Sequence, residues 1–200
     1  MTPDPSEQVL LRRVRRRDEQ AFNELVLRYQ DRVFGLCLRM LGHRAEAEEI
    51  AQEVFCTVFK TVRQFRGESK FSTWLYRVTL NHCKNRLKYL GRRHYRETRS
   101  LDDVQESRFD ESALPRQPGR PDQRLEEALL QRLVGEEIVG LDEEQRALLL
   151  LRDVQELSYS EIMEITGLPE GTVKSRLHRA RMALKARLQR RLGRTDSNGS

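Results

Sequence analysis

The segment SYSEIMEITGLPEGTVKSRLHRARMALKARLQRR, residues 158–191, constrains this chain more than any other stretch. Ser158 and Glu161 have the spacing of a capping box, in which a hydroxyl and a carboxylate each satisfy a free amide at a helix start. The short helix that follows ends at Gly167, and Leu168-Pro169 forbids simple continuation because proline has no amide proton to donate. A longer helix restarts near Glu170, so the stretch reads as helix, tight turn, helix. In the second helix Val173, Leu177, Ala180, Leu184 and Leu188 form one inward stripe. Lys174, Arg176, His178, Arg179, Arg181, Lys185 and Arg187 occupy the other faces. A basic helix with a single apolar seam suits the major groove of DNA, where early residues reach base edges and later arginines neutralise phosphates. A solvated or membrane-surface helix has the same composition, but neither needs the capped helix and glycine turn in front of it.

The first half of the chain is also helical in pattern. Phe22, Leu25, Val26, Tyr29, Val33, Cys37, Met40 and Leu41 recur at helical spacing up to Gly42. A second helix is expected over about 45–62, with Ile50, Val54 and Val58 inward. A third, capped by Ser72 or Thr73, is expected to run to about Leu90 along Trp74, Leu75, Val78, Thr79, Cys83 and Leu87. Between the last two lies a concentration of rings. The chain has seven Phe, five Tyr and one Trp, yet Phe65, Phe71, Trp74 and Tyr76 all fall within twelve residues, beside the polar turn Arg66–Lys70. Phe71 and Trp74 fit the core. Phe65 lies outside the helical stripe and is the better candidate for stacking on a base. Arg77, Asn81, Lys84 and Lys88 make one polar stripe on the third helix, so rings and cations together suit single-stranded nucleic acid. On the second helix Glu49, Gln52 and Glu53 share a face near Phe55, either a solvated acidic surface or a dock for a basic helix.

Residues 99–123 contain three prolines and mixed charge without periodicity, and read as a flexible linker. Twenty-five extended residues reach roughly 80 Å, so the flanking modules need not touch. The expected fold is therefore all-α: one small helical domain over 1–98, a second over 124–192, and a disordered tail over 193–200. In the second, a helix ends near Gly135 and Asp142 caps the next.

A net charge of +6 favours polyanionic partners without naming one. Cys37, Cys56 and Cys83 are widely spaced and odd in number, and read as reduced, mostly buried thiols rather than metal ligands or disulfides. His43, His82, His94 and His178 are scattered, and no catalytic, metal or phosphate-binding constellation is present, so neither an enzyme nor a cofactor is expected. The N-terminus lacks a signal-peptide core, and the longest apolar run, Ala147–Leu151, is too short for a bilayer; a cytoplasmic protein is expected. The basic run RRVRRR at 12–17 fits a DNA contact and a solvated surface equally well.

Three stretches in order resemble a bacterial sigma-70 family sigma factor of the extracytoplasmic-function (ECF) type: AEAEEIAQEVF (45–55), FRGESKFSTWLYRVTLNHCKN (65–85) and LSYSEIMEITGLPEGTVKSRLHRARMAL (157–184). The linker between them is too short for an extra helical domain. The resemblance implies a transcription initiation factor for RNA polymerase core, docking through Glu49, Gln52, Glu53 and Phe55 on the clamp helices, with the flap as a second contact. It implies that Phe65, Arg66, Lys70, Arg77, Asn81, Lys84 and Lys88 meet melted −10 DNA. In this family a base flipped from that element enters a pocket, and Phe65 and Asn81 match positions that line it. It further implies that Thr172, Lys174, Ser175, His178, Arg179 and Arg181 meet the −35 duplex. An anti-sigma protein, in a stress or envelope response, is the implied regulator. Arg77 and Val78 stand where primary sigma factors carry a tryptophan pair used in opening the duplex, which implies weaker melting and stricter promoter choice. The competing reading is a stand-alone helix-turn-helix regulator with a sensing or dimerisation domain in front.

Overall fold

The computed structural model describes residues 5–97 and 121–197, which form eight α-helices and no strand. The order is α1 (Pro5–Arg15), α2 (Glu19–Leu41), α3 (Arg44–Thr61), α4 (Phe71–Glu97), α5 (Pro121–Val139), α6 (Glu143–Leu149), α7 (Tyr159–Thr166) and α8 (Glu170–Ser197). The expected linker lies outside the described residues apart from Pro121–Gln123, which open α5.

In the first module α2 is the central helix. Asp18 caps it, its carboxylate accepting from the Ala21 amide at 3.0 Å, and Gly42 closes it. Leu25, Val33, Leu36 and Met40 are buried from α2, Ile50, Val54 and Val58 from α3, and Phe71, Leu75 and Cys83 from α4. These are the apolar stripes of the sequence, and their burial is the main favourable term in holding three helices together.

Four local expectations are corrected. α4 begins at Phe71, one residue before the expected cap, because Lys70 supplies the capping carbonyl to the Trp74 amide at 3.2 Å. Thr73 is fully buried with its hydroxyl unpartnered, so it caps nothing, and α4 continues past Leu90 to Glu97. α5 runs through Gly135, which is buried within it, to Val139. α8 runs to Ser197, where a tail from 193 was expected. Of the cysteines, Cys37 and Cys83 are buried with their sulfurs 3.7 Å apart, whereas Cys56 is exposed.

In the second module Asp142 caps α6, accepting from the Glu144 and Gln145 amides at 3.0 and 3.4 Å. A wide π-type turn over Leu150–Val154 extends α6 and buries Leu150 and Leu151. Val173, Leu177 and Ala180 of α8 pack into the same core with Leu148 and Ile162.

The two modules touch, although the linker's reach does not require it. Arg146 of α6 is buried and donates to three carbonyls: Met40 at the end of α2, Val139, and Leu141 at 2.9 Å. A guanidinium can leave water only where carbonyls replace its solvent partners, and these come from both modules. Burial also pushes its pKa down.

Candidate nucleic-acid interface

The helix-turn-helix is built as its sequence dictates. Ser158 Oγ accepts from the Glu161 amide at 3.3 Å while the Glu161 carboxylate accepts from the Ser158 amide at 2.9 Å. α7 ends at Gly167 with φ +71°, a left-handed backbone that a Cβ disfavours, and its amide donates to the Met163 carbonyl at 2.8 Å. Pro169 then opens α8, its carbonyl receiving the amides of Thr172 and Val173 at 2.9 and 3.0 Å.

The buried stripe of α8 decides which side chains face outward. Gly171, Ser175, His178 and Met182 follow at i, i+4, i+7 and i+11 and are exposed, as is Arg179 beside them. Met182 is the large apolar side chain on that outer face, and sequence reasoning had passed over it. Lys174 and Arg181 are exposed on one flank and hold acids. Lys174 pairs with Glu170 at 2.7 Å and lies 5.4 Å over the Tyr159 ring. Arg181 makes two bonds to Asp153, at 3.0 and 2.5 Å. The hydrogen bond to Glu170 and that to Asp153 raise the pKa of Lys174 and Arg181 respectively. Thr172 is half-buried on the opposite flank, where Arg176 pairs with Glu144. Among the described residues Arg179 bonds only the Ser175 carbonyl of its own helix, at 3.4 Å, so its guanidinium is less engaged than that of Arg181.

The second group centres on the loop between α3 and α4. Arg66, Gly67 and Glu68 are exposed at its tip, while both flanking phenylalanines are inside. Phe65 is only 7% exposed, against the expectation that its ring stands open for stacking. Its ring meets Phe71 edge-on at 5.7 Å and leans on Trp74 at 5.5 Å. The aromatic periodicity places Phe71 correctly. Phe65 lies beyond the helix, where a 3₁₀ turn over Val62–Gln64 swings it back into the core, and periodicity cannot register that. Trp74 is partly buried and less enclosed than Phe65.

Along α4, Asn81 and Lys88 are exposed, Lys84 is half-buried, and none of the three has a side-chain partner among the described residues. Lys70 and Arg77 do have partners, and both lie in α7: Glu161 at 2.6 Å and Glu164 at 3.1 Å. The N-terminal end of this basic stripe is therefore occupied by the second module.

Glu161 consequently has two roles, as cap of α7 and as partner of Lys70, and both depend on its charge. Burial alone raises its pKa, but hydrogen bonds from Lys70 and from Ser158 outweigh that and hold it below the usual 4.5. A carboxyl whose pKa is lower when folded stabilises the fold above its unfolded value and loses that contribution as pH falls through the folded one. Thermal stability is therefore expected to fall as pH drops below about 4.5, and Glu161→Gln to flatten that decline. Unfolding followed from about pH 6 to about pH 3 checks this; equal slopes for both proteins would sink it.

On α3 the acidic residues Glu49, Gln52 and Glu53 are exposed on one face, with Phe55 half-buried beside them. Two residues of α4 that sequence reasoning missed run along this face. Arg86 pairs with both Glu46 and Glu49, and His82 stands 3.3 Å from Glu53 and 3.0 Å from the Thr57 hydroxyl. Their i, i+4 spacing on α4 was the available signal. The Glu46 hydrogen bond pushes the Arg86 pKa up.

A capped helix, a glycine turn and an outward basic helix define a helix-turn-helix protein, here with a second helical module carrying its own basic stripe. The family model for Sigma-70 region 2 matches residues 25–93, and that for Sigma-70, region 4 matches 131–184. The ECF RNA polymerase sigma-E factor of Haemophilus influenzae is 36% identical over 94% of this chain and 98% of its own length. The RNA polymerase sigma-H factor of Pseudomonas aeruginosa is 35% identical over 94% and 97%. Among solved structures, the sigma factor RpoE in its complex with the anti-sigma factor NepR, from Bartonella quintana, superposes with a TM-score of 0.65 at 21% identity, covering 84% of this chain and 96% of that one. The chain belongs to the sigma-70 family, as a sigma factor of the ECF group.

Proposed function

We propose that this sigma factor binds core RNA polymerase through the exposed α3 face and reads promoters with two separate surfaces. Glu49, Gln52, Glu53 and Phe55 dock on the clamp helices, with a second contact at the flap. The outer face of α8, Ser175, His178 and Arg179 foremost and Thr172, Lys174 and Arg181 at its flanks, reads the −35 duplex. Arg66 and Lys70 of the loop, with Arg77, Asn81, Lys84 and Lys88 of α4, follow the melted −10 strand. The outward face of α8 over its fully buried stripe is the observation that carries this reading, because the fold leaves those side chains free for a groove. Phe65 contributes from inside, as a wall under the loop. Lys70 and Arg77 hold carboxylates of α7, so α7 must move away before DNA can take their place.

The chain contributes binding and specificity, the bond chemistry belonging to the polymerase. It works in the cytoplasm; none of its described helices is long and apolar enough to cross a membrane. An anti-sigma protein is the expected regulator, in keeping with the complex formed by the Bartonella quintana sigma factor. With Arg77 and Val78 in place of a tryptophan pair, poorly matched promoters are expected to be transcribed inefficiently.

Run-off transcription with purified core polymerase on a library of candidate promoters tests the proposal. Promoter-specific transcripts that need both core and this chain are expected. Tight duplex binding by the chain alone, with no gain of specificity by core, would favour a stand-alone regulator instead.

A further inference from the structure

The basic run at 12–17 divides into exposed and engaged residues, and the division is informative. Arg12 and Arg16 are exposed and have no side-chain partner among the described residues. Arg13 pairs with Asp18 at 2.8 Å. Arg15 and Arg17 turn inward to the segment that leads into the 65–70 loop. Arg15 donates from Nη2 to the Phe65 carbonyl and lies 5.7 Å over the Phe65 ring. Its own carbonyl receives Arg63 Nε at 3.1 Å, so residues 15 and 63–65 are tied in both directions. Arg17 donates to the Phe59 carbonyl at 2.5 Å with its guanidinium 4.3 Å over that ring, and Phe22 packs on the same ring edge-on at 4.9 Å.

Two further observations bear on this arrangement. Arg17 has φ +65°, the left-handed residue that closes α1, with the Asp18 amide returning to the Arg13 carbonyl at 3.3 Å. Arg15 Nε is buried without a partner, a cost that a merely solvated arginine would avoid. α1 itself is fixed: Leu10, Leu11 and Val14 are buried, and the Tyr29 hydroxyl donates to Glu7.

Apart from Lys70 at its C-terminal end, which Glu161 holds at 2.6 Å, the loop has little else to order it. Gly67 has φ +80° and open space around it, and Arg66 and Glu68 meet only at 3.9 Å with both side chains at least 80% exposed. On the N-terminal side its position depends on where the Phe65 carbonyl is held. A loop already held in place loses less conformational freedom when it closes on an extruded base.

We infer that Arg15 is a positioning residue for −10 recognition: through the Phe65 carbonyl it holds the loop in a receiving conformation, without itself touching DNA. This rests on the assignment of the loop to melted −10 DNA. The planar fork matters, because one nitrogen must reach the carbonyl while the guanidinium plane stays over the ring.

Arg15→Met, which keeps the stem and removes the fork, tests it in the full-length chain, beside Arg12→Met and Arg16→Met. Amide hydrogen exchange at Phe65, whose amide donates to the Val62 carbonyl at 3.2 Å, is expected to rise about tenfold in the free chain in Arg15→Met only, with thermal unfolding barely changed. Holoenzyme made with Arg15→Met is expected to bind a probe with a single-stranded −10 element about 5- to 20-fold more weakly, while binding of core and of a −35 duplex stays unchanged. Unchanged exchange would overturn the anchoring itself. Raised exchange with unchanged −10 affinity would overturn the role in recognition while leaving the assignment of the loop standing, whereas no −10 binding by the unsubstituted holoenzyme would overturn that assignment itself. An equal loss in Arg12→Met or Arg16→Met would show that the run acts through its charge, and would overturn the inference as well.

Discussion

Replacing Phe71 with alanine is expected to lower the unfolding free energy by about 3–5 kcal/mol, to be read from urea denaturation of the full chain. Phe71 is 1% exposed and is the hub of the aromatic cluster: Tyr29 and Phe65 meet it edge-on at 5.4 and 5.7 Å, and Trp74 lies tilted to it at 5.6 Å. Truncation removes the ring's transfer energy and leaves a cavity between three helical elements that cannot collapse without moving α4. Edge-to-face contacts add about 0.5–1.5 kcal/mol each beyond the area buried. Small domains are stable by about 5–15 kcal/mol, so the loss is a large share of the total. Phe71→Leu, which fills most of the space, is expected to cost only about 1 kcal/mol. Equal losses for the two variants would mean that ring geometry rather than volume governs the site.

Arg179→Ala is expected to weaken holoenzyme binding to a −35 duplex by about 10- to 100-fold, as loss of a bidentate or phosphate contact does. Arg181→Ala, two residues on, is expected to cost less than about threefold, because Asp153 holds its guanidinium by two bonds and DNA would have to displace them. Charge counting predicts equal effects, so the pair separates geometry from electrostatics. Fluorescence anisotropy on a labelled duplex, with core binding measured in parallel, checks it. A larger loss in Arg181→Ala would reverse the orientation assigned to α8.

Much of this architecture could be read from local chemistry. The capping box at Ser158–Glu161, the end of α7 at Gly167 and the buried stripe Val173, Leu177 and Ala180 each depend on residues within a few positions of one another. Local rules suffice there because the interacting groups lie one helical turn apart. The same rules failed at Thr73, which has a capping side chain in a plausible place, yet packing buries it within the first turn of α4. They failed at Phe65 for a related reason: outside a regular helix, side-chain direction is set by the tertiary path and not by a period.

The sequence by itself determined an all-helical chain, the helix-turn-helix, the outward residues of α8 and the acidic face of α3, because helical periodicity converts spacing directly into sidedness. Only the tertiary structure decided that Arg15 and Arg17 donate to the Phe65 and Phe59 carbonyls some 40 to 50 positions away, that Lys70 and Arg77 are held by α7, and that Arg146 joins the modules through three carbonyls. A guanidinium's partner depends on which backbone oxygen or carboxylate the folded chain brings within about 3 Å, and no local pattern encodes that approach.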